Sequence, residues 1–419
     1  MHTKAIMKTI ADVEAMLEPY INVATKTFRK GITTDRTLAL AKHVGSPHER
    51  LRVVHVAGTS GKTSTSYFMR SMLEAAGKKT GLTVSPHVMG ITERVQVSGQ
   101  PLSDETFVRY MNEFFDYIVS APETPTYFEI LIVFALWVFD KEGVDYAVIE
   151  TGLGGLHDSS NICRREDKLC IITDIGYDHM HVLGNTLADI ASQKCGIIAS
   201  GNTVMIYKQS GAVMAVAKKA ANAMNADLHV IEPTKNHLYQ QRNWRLAYQA
   251  YELLRNRDHL PELSKESQQQ TRNTVVPGRM DVYTVGTKTV LLDGAHNEQK
   301  MDAFWQSFEH KYSGVKPLVI FGIKHGKDTQ AVIPHITAHA RRIVTTKAHA
   351  TQDLGLGLGM EANDVADAVY KQSGIVCDVV PHSHDAIKHA LQQDETMIVV
   401  TGSLYLVAEI RTILNTNML

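Results

Sequence analysis

Between positions 58 and 64 the chain reads Gly-Thr-Ser-Gly-Lys-Thr-Ser, a spacing suited to holding phosphate. Gly58 and Gly61 carry no Cβ, so the backbone between them can fold tightly and aim its N–H groups inward. Those donors, the positive end of a following helix and the Lys62 ammonium make a pocket for polyphosphate. Thr59 and Ser60 lie inside the loop, and Thr63 and Ser64 add hydroxyls where a phosphate-bound cation would sit. The long P-loop pattern requires glycine at position 56. Val56 stands there, so only the shortened G-x-x-G-K-T form is present. An apolar strand before the loop and a helix after it supply the context the motif needs, which argues against an idle turn.

Later segments bring acids and imidazoles to similar places. Glu150 stands at the C-terminal end of the strand-like run Asp145–Gly152, which leads into Gly152-Leu-Gly-Gly155. In open α/β sheets the carboxyl ends of strands are where ligands bind. His179 follows the run Leu169–Gly176 in the same way; taken alone a core histidine is the better reading, and its position makes the functional one about as good. Asp293-Gly-Ala-His-Asn297 and Thr401-Gly-Ser403 end two further strands. Ser85, in Thr83-Val-Ser-Pro-His87, reads by default as turn chemistry. Lys194, on the helix Thr186–Ile198, reads by default as a solvated lysine.

Positioning these groups takes alternating strands and helices. Phe68, Met72 and Ala75 recur at helical spacing after the phosphate loop, and Gly77 supplies the stop. A short hairpin is expected over Ile91–Gly99, a buried helix over Tyr127–Lys141, strands at Thr203–Tyr207 and Leu228–Ile231, and a helix over Asn243–Leu254. The polar tract Ser264–Asn273 is a composition shift, and Val276-Pro-Gly-Arg-Met-Asp281 reads as a rigid turn at a domain joint. Beyond it, strands at Thr289–Asp293, Leu318–Gly322, Ile343–Thr346, Ile375–Val380 and Met397–Thr401 predict a second, smaller parallel sheet. The run Leu354–Gly359 follows no strand and reads as a loop. The positive cluster Phe28–Gly31 reads as a solvated surface.

The totals bound the function. The 419 residues suffice for two cores, and 44% apolar with 21% charged content suits a globular enzyme. A net charge of −1 gives no reason to expect nucleic acid or an acidic membrane surface as partner. Cys163, Cys170, Cys195 and Cys377 form no C-x-x-C pair, which points to a reducing cytoplasm. The N-terminus has no apolar signal core, and Ile130–Phe139 is too short to span a bilayer.

Taken in order, these motifs resemble the folylpolyglutamate synthase/dihydrofolate synthase branch of the Mur ligase superfamily. The resemblance runs from about Phe28 to the last helix. It is carried by Gly58–Ser64, Thr83–His87, Thr126-Tyr-Phe-Glu129, Glu150–Gly155 with Asp158 to Asn161, Ile175–His179 and Leu183–Leu187. Gln193–Ile197, Pro277-Gly-Arg279, Leu292–Asn297 and Thr401–Tyr405 complete it. It implies an α/β fold: a P-loop-containing Mur-ligase central domain over 1–280 and a smaller Rossmann-like α/β domain over 281–419.

The resemblance also implies an activity: ATP phosphorylates a folate-type carboxylate, and L-glutamate attacks the acyl phosphate. The substrates would be a reduced folate or dihydropteroate, with ATP and Mg2+ as cofactors and a monomer as the working form. By the same resemblance, Gly58, Thr59, Ser60, Gly61, Lys62, Thr63, Ser64, Asn243, Arg279 and Asp293 would hold nucleotide. Ser85, Glu150 and His179 would ligate magnesium. Lys62, Lys194 as a carbamate, and His296 would act in catalysis. Tyr127, Phe128, Glu129 and Asp158 would contact pterin or folate.

This chain departs from the family pattern at several positions. Ser60 replaces asparagine, Thr63 replaces the commoner glycine, Glu298 replaces proline, and Gln193 replaces glutamate. Leu156-His157 stands where the family often has Arg-Leu, which bears on pterin preference. A cell-wall ligase of the same superfamily and a P-loop kinase or NTPase remain alternatives at this stage.

Overall fold

The computed structural model describes residues 6–28, 33–88, 90–233, 238–348 and 359–416. Arg29–Gly31 and most of the glycine run at 354–359 lie outside the described residues. Two compact units make up the chain, Met1–Thr274 and Val275–Leu419.

In the first unit, α1 (Ile10–Phe28) and α2 (Asp35–His43) precede β1 (Val53–Ala57) and α3 (Lys62–Ala75). Next come β2 (Thr80–Thr83), the hairpin β3 (Gln96–Val97) and β4 (Gln100–Pro101), α4 (Asp104–Val119), α5 (Tyr127–Lys141) and β5 (Tyr146–Glu150). Then follow β6 (Leu169–Ile172), α6 (Met180–Leu183), α7 (Leu187–Cys195), β7 (Thr203–Tyr207), α8 (Gly211–Ala223), β8 (Asp227–Ile231), α9 (Tyr239–Asp258) and α10 (Lys265–Arg272). The sheet order is β4-β3-β2-β5-β1-β6-β7-β8. From β2 to β8 every pairing is parallel, and the hairpin adds two antiparallel strands at one edge.

Every residue of β1 and β5 is buried, as expected of parallel strands covered on both faces. On one face α5 packs with α1, α2 and α4 around Phe107, Phe114 and Phe134, and α7 and α8 cover β6 and β7. α3 packs on α9 and α10. α5 has the bounds its sequence predicts because Thr126 and Glu129 form a reciprocal capping box at its start. Among the described residues, no helix is long and apolar enough to cross a membrane.

The second unit holds β9 (Asp281–Val285), β10 (Lys288–Leu292), α11 (Glu298–Lys311), β11 (Leu318–Phe321), α12 (Thr329–His339) and β12 (Arg342–Lys347). It continues with α13 (Ala362–Ser373), β13 (Asp378–His382), α14 (Ser383–Leu391), β14 (Met397–Thr401) and α15 (Leu404–Asn415). Its sheet runs β13-β12-β11-β14-β10-β9, parallel except for β9.

Two expectations need correction. Asp281 opens an antiparallel edge strand and does not merely end a turn. The helix expected from Asn243 begins a turn earlier, at Tyr239. The polar tract forms a packed helix: Ser264 caps α10, and Thr271 accepts a bond from the Trp244 indole at 3.0 Å.

Candidate active site

The phosphate loop joins β1 to α3, and its geometry departs from expectation in one respect. Thr59 N and Ser60 N both donate to the Asp174 carbonyl, at 2.8 and 3.1 Å, so neither amide faces inward. Thr59 Oγ1 also donates to Gly176 O at 3.0 Å. The donors left to a phosphate are those that open α3. Gly61 caps that helix with φ +93° and no side-chain cap, so the N–H groups of Lys62, Thr63 and Ser64 have no acceptor within the helix. A Cβ on Gly61 would lie 2.5 Å from Asn243 Oδ1, which places Asn243 against the loop. A Cβ on Gly58 would strike Thr173 Oγ1 at 1.8 Å.

Lys62 Nζ donates to Gly58 O at 3.1 Å, and Lys194 Nζ donates to the same oxygen at 2.9 Å. Lys194 is therefore not solvated. Only 5% of it is exposed, because α7 lays it under the loop.

Pairing of β2, β5 and β1 brings three strand ends together. The buried Glu150 accepts Thr63 Oγ1 on Oε1 at 2.9 Å and Ser85 N on Oε2 at 3.3 Å. An anionic carboxylate flanked by two hydroxyl-bearing residues fits a hard, oxygen-seeking divalent cation. His179 sits in a left-handed conformation (φ +51°) on the loop after β6, with its ring 44% exposed and 3.7 Å from Asp178. Among the described residues, no three His, Cys, Asp or Glu side chains gather as a metal cluster of their own.

The four expected pterin contacts are placed unequally. The Glu129 carboxylate is buried, forms a two-pronged pair with Arg36 at 2.6 and 2.8 Å, and accepts Thr126 N at 2.7 Å. Asp158 is buried and accepts from Leu153 N, Ser160 N and Ser160 Oγ. Burial pushes its carboxyl above the usual range, while these donors and the Lys62 charge pull it back. Tyr127 belongs to the core around α5. Phe128 is half-buried, and its ring lies where a Cβ on Gly152 would come within 2.5 Å.

In the second unit Asp293 directly follows β10 and folds the next turn, accepting Ala295 N at 3.0 Å and Met280 N at 2.9 Å. Arg279 Nη1 donates to Gly278 O at 2.8 Å, and Gly294 N donates to the same carbonyl. His296 Nδ1 lies 2.8 Å from Gly294 O and must carry the hydrogen, since a carbonyl only accepts. Its Nε2 lies 3.0 Å from Lys300 Nζ and accepts, so the imidazole is neutral. Asn297 caps α11 through Lys300 N.

Sequence reasoning missed Arg36, Asp174, Lys300 and His55. Of these only His55 carried a visible signal, a polar residue inside the apolar run Val53–Ala57.

Two family models match: Mur ligase middle domain over residues 56–283, and Dihydrofolate synthetase, C-terminal domain, over residues 279–415. This chain belongs to the folylpolyglutamate synthase/dihydrofolate synthase branch of the Mur ligases. It is 29% identical to the dihydrofolate synthase/folylpolyglutamate synthase of Bacillus subtilis, over 90% of this chain and 93% of that one. Its fold is that of E. coli FolC in complex with DHPP and ADP, at TM-score 0.83 and 22% identity, covering all of both chains. It is equally that of a Yersinia pestis bifunctional folylpolyglutamate synthase/dihydrofolate synthase complexed with AMPPNP and Mn. There the TM-score is 0.78 at 20% identity, over 99% of this chain and all of that one. The dihydrofolate-synthetase match in the second unit separates this branch member from cell-wall ligases and from P-loop kinases.

Proposed function

We propose that this chain is an ADP-forming ligase that joins L-glutamate to the carboxylate of a reduced folate. A carboxylate is a poor electrophile, so ATP must first convert it to an acyl phosphate. The glutamate amine then attacks the carbonyl, and phosphate leaves with the former carboxylate oxygen. Transfer of the phosphoryl group needs fixed positive charge around its oxygens. Lys62 and the opening amides of α3 supply that charge from this chain.

The observation that carries the reading is the contact of Glu150 with both Thr63 and Ser85 beside that helix end. Glu150, Ser85 and His179 would hold a divalent cation, Mg2+ by its oxygen preference, which would neutralise phosphate charge when bound. By the family pattern, Gly58–Ser64, Asn243, Arg279 and Asp293 would hold the nucleotide. Lys194 and His296 would act on the transferring group. Phe128 is the best placed of the pterin contacts, and Tyr127, Glu129 and Asp158 would shape that site from behind. Dihydropteroate is a second acceptor, a reading supported by the match of residues 279–415 to a dihydrofolate synthetase domain. The four unpaired cysteines suit a reducing cytoplasm.

The test is ADP release with ATP, L-glutamate and either acceptor, with products read by mass. ADP should form only when acceptor and glutamate are both present, and Lys62→Ala and Glu150→Ala should each abolish it. Turnover indifferent to glutamate would point to a plain NTPase.

A further inference from the structure

His55 lies in the middle of β1 and is fully buried. Alternation along the strand puts it on the face shared by Val53, which packs with α5, and Ala57, which packs with α7 and α8. A polar ring there costs stability unless its nitrogens find partners. Nε2 has two, Ser160 Oγ at 2.8 Å and Thr151 Oγ1 at 3.1 Å, and Nδ1 has none among the described residues.

These contacts fix the tautomer. Ser160 has one hydroxyl hydrogen, and it goes to Asp158 Oδ1 at 2.5 Å, because a carboxylate only accepts. Ser160 Oγ must then accept from His55, so Nε2 carries the ring hydrogen and shares it with Thr151. Burial, and then the nearby Lys168 charge, hold the ring well below the ordinary imidazole range. Nδ1 is thus a bare lone pair, which is less costly to bury than an unpaired N–H.

From Ser160 the chain of bonds runs on toward the proposed chemistry. Asp158 draws in Leu153 N at 2.7 Å, and Leu156 N donates to Gln193 O at 2.7 Å. Asn161 Nδ2 ties Leu156 O to Gly196 O, each at 3.0 Å. A Cβ on Gly155 would lie 2.6 Å from Gln193 O and 3.0 Å from Lys194 O, so this segment rests on the backbone that carries Lys194. Its other end, Thr151, adjoins Glu150.

We propose that His55 is a positioning residue for phosphoryl transfer. Through Ser160 and Asp158, its Nε2–H sets the segment 151–161 that registers Glu150 and Lys194 against the phosphate loop. The proposal rests on the ligase reading above, and His55 itself touches no substrate.

Steady-state kinetics and thermal midpoints of His55→Gln, His55→Asn, His55→Leu and Ser160→Ala test it. A glutamine amide reaches about as far as Nε2, whereas an asparagine amide reaches only the Nδ1 position. His55→Gln should keep kcat within about threefold of the parent. His55→Asn and His55→Leu should lose about ten- to a hundredfold in kcat, the scale of a small misplacement, with KM for ATP little changed. Ser160→Ala should give the same loss even if His55→Leu fails to fold, and combining it with His55→Asn should add nothing. Hydrogen exchange of 151–161 in the ligand-free protein should rise in His55→Asn and not in His55→Gln, whatever the activity. Equal losses for Gln and Asn, additive losses, or unchanged exchange would overturn the assignment. A parent protein that exchanges as expected but makes no ADP with both substrates would sink the ligase reading, and the phosphoryl-transfer role with it.

Discussion

Lys62 and Lys194 donate to one acceptor, the carbonyl oxygen of Gly58, at 3.1 and 2.9 Å. Two ammonium groups that share one acceptor repel each other. Converting Lys194 to a carbamate would turn that repulsion into attraction and leave an N–H for Gly58.

Activity should therefore depend on dissolved CO2. Stripping bicarbonate from the buffers should lower the rate, and adding it back should restore it. 13C-bicarbonate should give a carbamate signal that Lys194→Arg lacks, and Lys194→Ala should cost about a hundredfold or more in kcat. A CO2-independent rate with no such signal would assign Lys194 as a plain ammonium.

Arg36 and Glu129 form the pair that anchors the start of α5, with Arg36 18% and Glu129 5% exposed. Arg36→Met would leave a buried carboxylate with one charged partner fewer. The expected cost is about 2 kcal/mol, read as a lowered thermal midpoint. Arg36→Met with Glu129→Gln should recover part of it, since the stranded charge is then gone. No shift in the single variant would free Glu129 from this structural role and return it to direct substrate contact.

Acid should destabilise the first unit before its carboxylates titrate. Burial, and then the Arg94 charge, push the His87 imidazole down to about 2, and Arg94 Nε donates to its Nδ1 at 3.1 Å. Unfolded, the same ring protonates near the ordinary value of 6.5. Unfolding thus takes up a proton below that pH, so stability falls as pH drops from 6.5 toward 2, by about 1.4 kcal/mol per unit for such a ring. His55 adds in the same direction. The thermal midpoint should fall between pH 7 and 5, and His87→Gln should flatten that slope. A flat profile in the parent protein would contradict it.

What the sequence made legible was local. Thr126 and Glu129 bound α5 because a capping box is written in adjacent residues. Glu150 was found because it ends a strand, Thr63 because it lies in the phosphate-loop motif, and Ser85 only through the family resemblance. Non-local facts stayed hidden. Nothing near Thr59 and Ser60 says that their amides are taken by Asp174, over a hundred residues away. Lys194 looks like any helical lysine until the loop from β1 closes over it. The tract before Asn273 has no apolar period because α10 docks through Thr271 and the stacking of Arg272 on Trp244. β9 hides for a similar reason: as an edge strand it leaves Val282 exposed and shows little hydrophobic alternation.

Oxygen transfer probes the acyl-phosphate chemistry most directly. With the acceptor carboxylate labelled with 18O and ATP and L-glutamate supplied, the released phosphate should carry one 18O atom for each glutamate joined, with ADP as the nucleotide product. Phosphate free of label, or label recovered in AMP, would contradict the account.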